Sequence, residues 1–167
     1  MSLLDIKGLT LDISGYPILH GIDLSVDAGQ VLGIIGESGA GTSMTAISIM
    51  GLLPAGSRAT GAITLAGAEL LGKSERDMCA LAGRGVGMVF QEPMTALDPL
   101  KTIGAQVAEP ILVHGGVSRR EAVAEADRVL TRVGLPRELF ARDRFPHELS
   151  GGQRQMLAVA RALIVHP

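Results

Sequence analysis

Residues 3–13 and 18–26 alternate loosely between apolar and polar positions, the period of strands with one buried face. Gly15-Tyr16-Pro17 separates the two runs, and Asp27-Ala28-Gly29 marks a turn behind the second. Val31-Leu32-Gly33-Ile34-Ile35 then breaks the alternation. A short, continuous, β-branched apolar run predicts a strand covered on both faces, as in a parallel sheet. Gly36 to Gly41 is a glycine-rich loop, and Thr42–Leu53 is apolar on most sides, predicting a buried helix that Pro54 stops. Residues 60–70 read as an edge hairpin with Gly61 and Gly67 in its turns. Residues 74–82 read as a short helix, and Val86-Gly87-Met88-Val89-Phe90 as another buried strand.

The period changes after Gln91. From about residue 101 the pattern is helical and rich in arginine. The clearest stretch is 118–134. Ser118 and Glu121 have capping-box spacing, Ala122, Val123, Ala126, Val129, Leu130 and Val133 share one face, and Gly134 and Pro136 end the run. A further helix is predicted from about Gln153 to Val165. The layout is an α/β core holding residues 1–91 and about 150–167, with a helical subdomain of about 92–149 inserted.

At 167 residues the chain has the length of roughly one domain. Its net charge of −2 does not suit a coat on nucleic acid or on an anionic membrane surface. The lone Cys79 excludes an internal disulfide. No apolar run approaches the roughly 18–20 residues that span a bilayer, and the acidic start Met-Ser-Leu-Leu-Asp is unlike a signal peptide. Glycine is the outlier, with 22 residues against an average of about 7%.

Five of those glycines, Gly36, Gly39, Gly41, Gly151 and Gly152, sit in two loops suited to anions. Gly36-Glu37-Ser38-Gly39-Ala40-Gly41-Thr42-Ser43 follows a predicted strand and opens a predicted helix. Glycines let consecutive N–H groups turn toward a phosphate, and the helix start adds about half a positive charge. The Ser43 hydroxyl is placed to ligate Mg²⁺. An ordinary strand-to-helix turn is the competing reading. Leu149-Ser150-Gly151-Gly152-Gln153 is a second such start, with Ser150 and Gln153 at capping-box spacing, and it is equally readable as a plain cap. Val89-Phe90-Gln91-Glu92-Pro93 is a strand end running into a polar loop, where Gln91 can reach a metal or hinge the segment.

Taken in order, three segments resemble the nucleotide-binding subunit of an ABC transporter. They are Gly36-Glu37-Ser38-Gly39, then Phe90-Gln91-Glu92-Pro93-Met94-Thr95-Ala96-Leu97-Asp98-Pro99, then Pro146-His147-Glu148-Leu149-Ser150-Gly151-Gly152-Gln153-Arg154-Gln155. They match the Walker A loop, Q-loop and signature motif in order and spacing. Ser48–Pro54 and Met94–Pro99 further resemble the peptide and nickel importer branch. The resemblance implies a P-loop NTPase core of α/β class with an N-terminal antiparallel β part and an inserted helical subdomain. It implies ATP and Mg²⁺ as ligands, with Gly36 to Ser43 around the β- and γ-phosphates and Ser43 and Gln91 sharing the metal. Ser150, Gly151, Gly152 and Gln153 would face the ATP of a second ATPase subunit, in a homo- or heterodimer. Closure of that dimer would drive permease subunits, contacted through the Q-loop and the helical subdomain and fed by a solute-binding protein. The subunit would sit peripherally on the cytoplasmic face of the inner membrane.

The chain departs from that family at three points. The Walker A lysine is Thr42, and no Lys or Arg lies between Lys7 and Arg58. Losing one charge-assisted hydrogen bond predicts binding weakened about tenfold to hundredfold. The family's next strand, with the Walker B aspartate and catalytic glutamate, would come after Pro167, so no catalytic residue is assigned within residues 1–167. Without that neighbour Val31–Ile35 is expected to be an exposed apolar edge and the chain poorly soluble or partly unfolded. The family's adenine-stacking aromatic aligns with Ile13, and Tyr16 is the nearest substitute.

The remaining candidates carry little. His20, His114, His147 and His166 lack metal-ligand spacing. Cys79 reads as a small hydrophobe, and the arginines of 119–144 as a solvated helical face without aromatic platforms for bases. Two functions follow from the resemblance. One is an importer ATPase subunit. The other is a non-hydrolysing nucleotide-binding or regulatory partner, or a gene remnant.

Overall fold

The computed structural model describes residues 2–37, 39–82, 85–92 and 96–167. The chain divides into two compact units, Met1–Met78 and Cys79–Pro167.

The first unit is a four-stranded antiparallel sheet with one helix. Strands β1 (Ser2–Ile13) and β2 (Tyr16–Asp27) form a hairpin, β3 is Ser57–Leu65 and β4 is Ala68–Glu69, in the spatial order β2-β1-β3-β4. The hairpin closes through Ser14 and Gly15, both at positive φ (53° and 89°), the two-residue turn that matches strand twist. The loose alternation in β1 has a specific cause. Its pairing with β3 shifts between Lys7 and Thr10, which face Ala62 and Thr60, so β1 carries one extra residue there. Gly8, at φ 55°, makes that bulge. It lets Ile6 and Leu9, three residues apart, both bury in the core beside Leu11, Leu19 and Ile63. A Cβ on Gly61 would lie 2.5 Å from the Gly8 carbonyl oxygen, so the partner strand needs glycine opposite the bulge.

Helix α1 spans Thr42–Ile49, shorter than the sequence pattern predicts. It ends at Gly51, not at Pro54. Gly51 is left-handed (φ 66°), its N–H donates to Ser48 O (3.2 Å), and Leu52 N–H donates to Ile47 O (3.1 Å). That pair of bonds satisfies the last carbonyls before proline is reached.

The predicted strands 31–35 and 86–90 do not form. Residues 31–35 have no ladder partner, and Val31 and Ile35 are 98% and 99% exposed. Residues 86–90 are also irregular, with Val89 and Phe90 partly exposed. Hydrophobicity makes such runs competent to be central strands. Pairing also needs adjacent strands, and the described residues supply none here.

Helix α2 (Glu75–Ala82) crosses the boundary between the units. The second unit packs α3 (Ile103–His114), α4 (Arg119–Arg132) and α5 (Gly151–Leu163), with a 3₁₀ turn at Pro146–Glu148. Its core includes Ile103, Val107, Ala122, Ala126, Leu130, Leu135, Leu157, Ala160 and Ile164. The alanines allow close helix approach, and the leucines and isoleucines fill the space between. The predicted Ser118/Glu121 capping box is present: Ser118 N–H donates to Glu121 Oε2 at 2.8 Å and Glu121 N–H to Ser118 Oγ at 3.3 Å. Pro110 lies inside α3. The first amides of α3 find acceptors across the chain, Ile103 N–H on Arg144 O (2.8 Å) and Gly104 N–H on Arg142 O (3.0 Å).

The Asp127 carboxylate on α4 ties this turn down. It accepts from Arg142 Nε and from Arg137 Nη1, and Arg142 also donates to the Leu135 and Phe140 carbonyls. Burial raises the Asp127 pKa, but the Arg142 and Arg137 bonds and charges outweigh it and hold the carboxyl below its ordinary value of 3.8. A depressed carboxylate pKa contributes stability above the unfolded value and loses it as pH falls through the folded one. Chemical denaturation of the chain is therefore expected to show stability falling below about pH 4. Asp127→Asn should flatten that acid limb and lower stability at pH 7.

Candidate functional site

The loop ahead of α1 has the features of an anion cradle. Gly39 and Gly41 are both left-handed, at φ 89° and 82°. Ala40 N–H donates to Glu37 O at 2.9 Å, which turns the loop back on itself. A Cβ on Gly36 would lie 2.8 Å from Ala40 Cβ and 3.3 Å from Thr42 Cγ2, so the loop admits only glycine there without opening. Gly41 is the N-cap of α1, no side chain caps the helix, and its first turn holds no acid. The first-turn N–H groups are therefore left to an outside acceptor. Gly41 is buried against β2: its Cβ would meet Leu19 Cδ2 at 2.4 Å. The sheet thus sets the position of the loop.

Around that cradle, Gly36, Glu37, Gly39, Ala40 and Ser43 are exposed and Thr42 is half-buried. Ser38 lies outside the described residues. Tyr16 is 73% exposed at the hairpin end, across from Ile13. It is three residues along β2 from Leu19, about 10 Å at a strand's rise.

The second candidate loop opens α5. Ser150 N–H donates to Gln153 Oε1 (2.8 Å) and Gln153 N–H donates to Ser150 Oγ (3.3 Å), completing the predicted capping box. Ser150, Gly151 and Gly152 are exposed, and a Cβ on either glycine would meet nothing within 4 Å. Neither position needs glycine to fold, although glycine costs a helix interior about 1 kcal/mol relative to alanine.

Gln91 is exposed in the second unit, and Pro93, Met94 and Thr95 of the same segment lie outside the described residues. Sequence reasoning missed the groups that brace these loops. Gln106, 1% exposed, accepts from Asp98 N–H and donates to Asp98 O and Lys101 O, all at 2.9 Å. Arg154 Nε donates to Pro146 O at 2.9 Å, and Arg161 Nη1 donates to Ala96 O. A glutamine on the apolar face of α3 was the available signal for the first. The arginines gave none, because exposed and bracing arginines look alike in a sequence.

Mg²⁺ is a hard ion that takes a few protein oxygens beside phosphate and water. The exposed Ser43 hydroxyl fits as one such ligand. Among the described residues no group of three or more His, Cys, Asp or Glu forms a metal cage.

Left-handed glycines and a helix start without a side-chain cap are the features a phosphate-binding loop needs. The chain belongs to the ABC transporter family, whose model matches residues 19–167. A Brucella melitensis relative named as a peptide import ATP-binding protein is 43% identical over 99% of this chain and 52% of its own length. The oligopeptide transport ATP-binding protein OppD of Escherichia coli is 38% identical over 99% of this chain and 50% of its own. The chain spans about half the length of these curated relatives. Among solved structures, the dimeric ABC transporter cassette MJ0796 superposes with a TM-score of 0.82 at 25% identity, covering 98% of this chain and 70% of that one. A second structure of that cassette holds ADP and Pi. The fold is that of an ABC ATPase cassette, as the motif order implied.

Gly41→Ala should lower stability to urea by about 1–3 kcal/mol, through the left-handed φ and the contact with Leu19. Gly151→Ala, facing open space, should stay within about 0.5 kcal/mol of the parent.

Proposed function

We propose that this chain is the nucleotide-binding part of the ATPase subunit of a peptide importer. The observation that carries the reading is the uncapped, glycine-walled start of α1 in a chain of this family. ATP binds with its phosphates in loop 36–43, Ser43 and Gln91 hold Mg²⁺, and the adenine lies against Tyr16 or Ile13. Residues 1–91 with about 150–167 form the nucleotide core, and about 92–149 the helical subdomain. Ser150, Gly151, Gly152 and Gln153 complete the site of a second ATPase subunit, identical or related. The dimeric MJ0796 cassette supports that pairing. ATP favours the closed pair, and closure moves the permease. Peptide as the cargo is supported by the relatives' names, while nickel is supported only by resemblance to the importer branch.

Support for a permease contact comes from the second unit. A groove of about 700 Å³ runs between α3 and α4, floored by Ala105, Ala108 and Leu112 and edged by Val113 and Val123. Val113 and Val123 are exposed apolar side chains, beside the charged Lys101–Glu109 pair. Among the described residues no helix is long and apolar enough to cross a membrane. The proposed subunit meets the inner membrane peripherally, on its cytoplasmic face, through the permease.

Thr42 favours a second reading, in which the chain binds nucleotide without turnover and pairs with an intact partner.

Sedimentation velocity with and without MgATP tests the shared core of both readings. MgATP should shift the chain, or its mixture with a related subunit, toward a dimer. Gly152→Asp should remove that shift by placing a carboxylate at the partner's γ-phosphate. The fold should survive, because an acid in the first turn of α5 suits the helix dipole. Absence of both nucleotide binding and association at millimolar MgATP would overturn the proposal.

A further inference from the structure

The chain enters α5 through a short bracket. The 3₁₀ turn Pro146–Glu148 leads to Leu149, which is buried in the core of the second unit, and then to the N-cap Ser150. Gly151 and Gly152 follow as the first two helical residues, and glycine leaves the backbone many conformations. The Ser150/Gln153 box fixes the two ends of that pair. The direction from which the chain arrives is fixed by Arg154, the fourth residue of α5, whose N–H donates to Ser150 O at 3.0 Å. A helical side chain leans toward the N-terminus, and this one reaches back past the cap. Its Nε donates to Pro146 O at 2.9 Å and its Nη2 to His147 O at 3.4 Å. Pro146 O also accepts from Leu149 N–H at 3.2 Å. One residue therefore holds carbonyls on both sides of Leu149. The first turn of α5 contains no acid, and a cation near a helix start gains nothing from the helix dipole. What Arg154 contributes is the hold on those carbonyls.

We propose that Arg154 is a positioning residue for the contact with a second ATPase subunit. By strapping the 146–147 turn to α5, it holds Ser150 and the amides of Gly151 and Gly152 in the orientation that meets the partner's nucleotide. The inference rests on the partner-facing role proposed for residues 150–153 and adds the residue that preorganises them. Two adjacent glycines lose much conformational freedom when they dock on a phosphate. A strap already closed in the free chain removes part of that loss before the partner arrives, and affinity rises with it. The guanidinium does this with a planar fork that faces two carbonyls at once, a geometry an ammonium lacks.

The test is sedimentation velocity of the full chain, alone or with a related subunit, with and without MgATP, in the parent, in Arg154→Met and in Arg154→Lys. Calorimetric titration of each protein with MgATP reports its own loop 36–43, which lies in the first unit. Arg154→Met keeps an apolar stem and removes the donors. It should weaken MgATP-driven association at least about tenfold, the scale of one charge-assisted hydrogen bond. Its own affinity for MgATP should stay within about twofold of the parent's. Arg154→Lys keeps the charge without the fork and should fall between the two. Association of Arg154→Met as tight as the parent's would overturn the inference. So would parent-like association of Arg154→Lys, because charge alone would then suffice, and this arm decides the matter if circular dichroism shows Arg154→Met unfolded. A folded Arg154→Met that loses MgATP affinity in step with association would overturn it as well, by revealing a general structural defect. A parent that does not associate with MgATP would instead overturn the partner-facing reading of residues 150–153, and the inference with it.

Discussion

Strand β1 is the constraint on which the first unit depends. It is paired on both sides, to β2 and to β3, so its hydrogen bonds hold the sheet together. The one-residue bulge at Gly8 sets the phase of its side chains, putting Ile6 and Leu9 into the same core. That core carries Leu19 on β2, and Leu19 is what Gly41 packs against. A chain of contacts therefore runs from backbone pairing, through a buried leucine, to the position of the glycine loop.

The helices of this protein meet one requirement in different ways. The first turn of any helix leaves N–H groups without intrahelical partners. In α4 and α5 a serine and a residue three positions on satisfy two of them reciprocally. In α3 the carbonyls of residues 142 and 144 help the N-cap Thr102. In α1 no side chain does so. The exception coincides with the glycine loop, and bare amides beside glycine are what an anion needs. At α5 the cap is complete, yet Gly151 and Gly152 still leave the outer backbone uncovered.

Much of the organisation was legible from residue order alone. The Ser118/Glu121 and Ser150/Gln153 boxes formed as their spacing predicts, because a cap depends on neighbours three residues away. The edge hairpin near Gly67 and the helical stretch after residue 101 are local in the same way. The two misread strands depend on neighbours distant in sequence. Val31–Ile35 and Val86–Phe90 have the composition of central strands but lie unpaired. Helix α1 stopped early because Gly51 turned left-handed before Pro54 could act.

The sequence by itself determined the motif order, the uncharged residue at Thr42 and the lack of any Lys or Arg between Lys7 and Arg58. These are properties of residue identity, and no packing can change them. Only tertiary structure decided that the Thr42 methyl packs inward at Gly36, that Gly41 is pressed on Leu19, and that Gln106 and Arg142 brace the second unit. The Gly41–Leu19 contact spans 22 positions and the others six to eight, all beyond the three-residue reach of a helix cap. Their geometry is set by the sheet register and helix packing, which one-dimensional spacing does not contain.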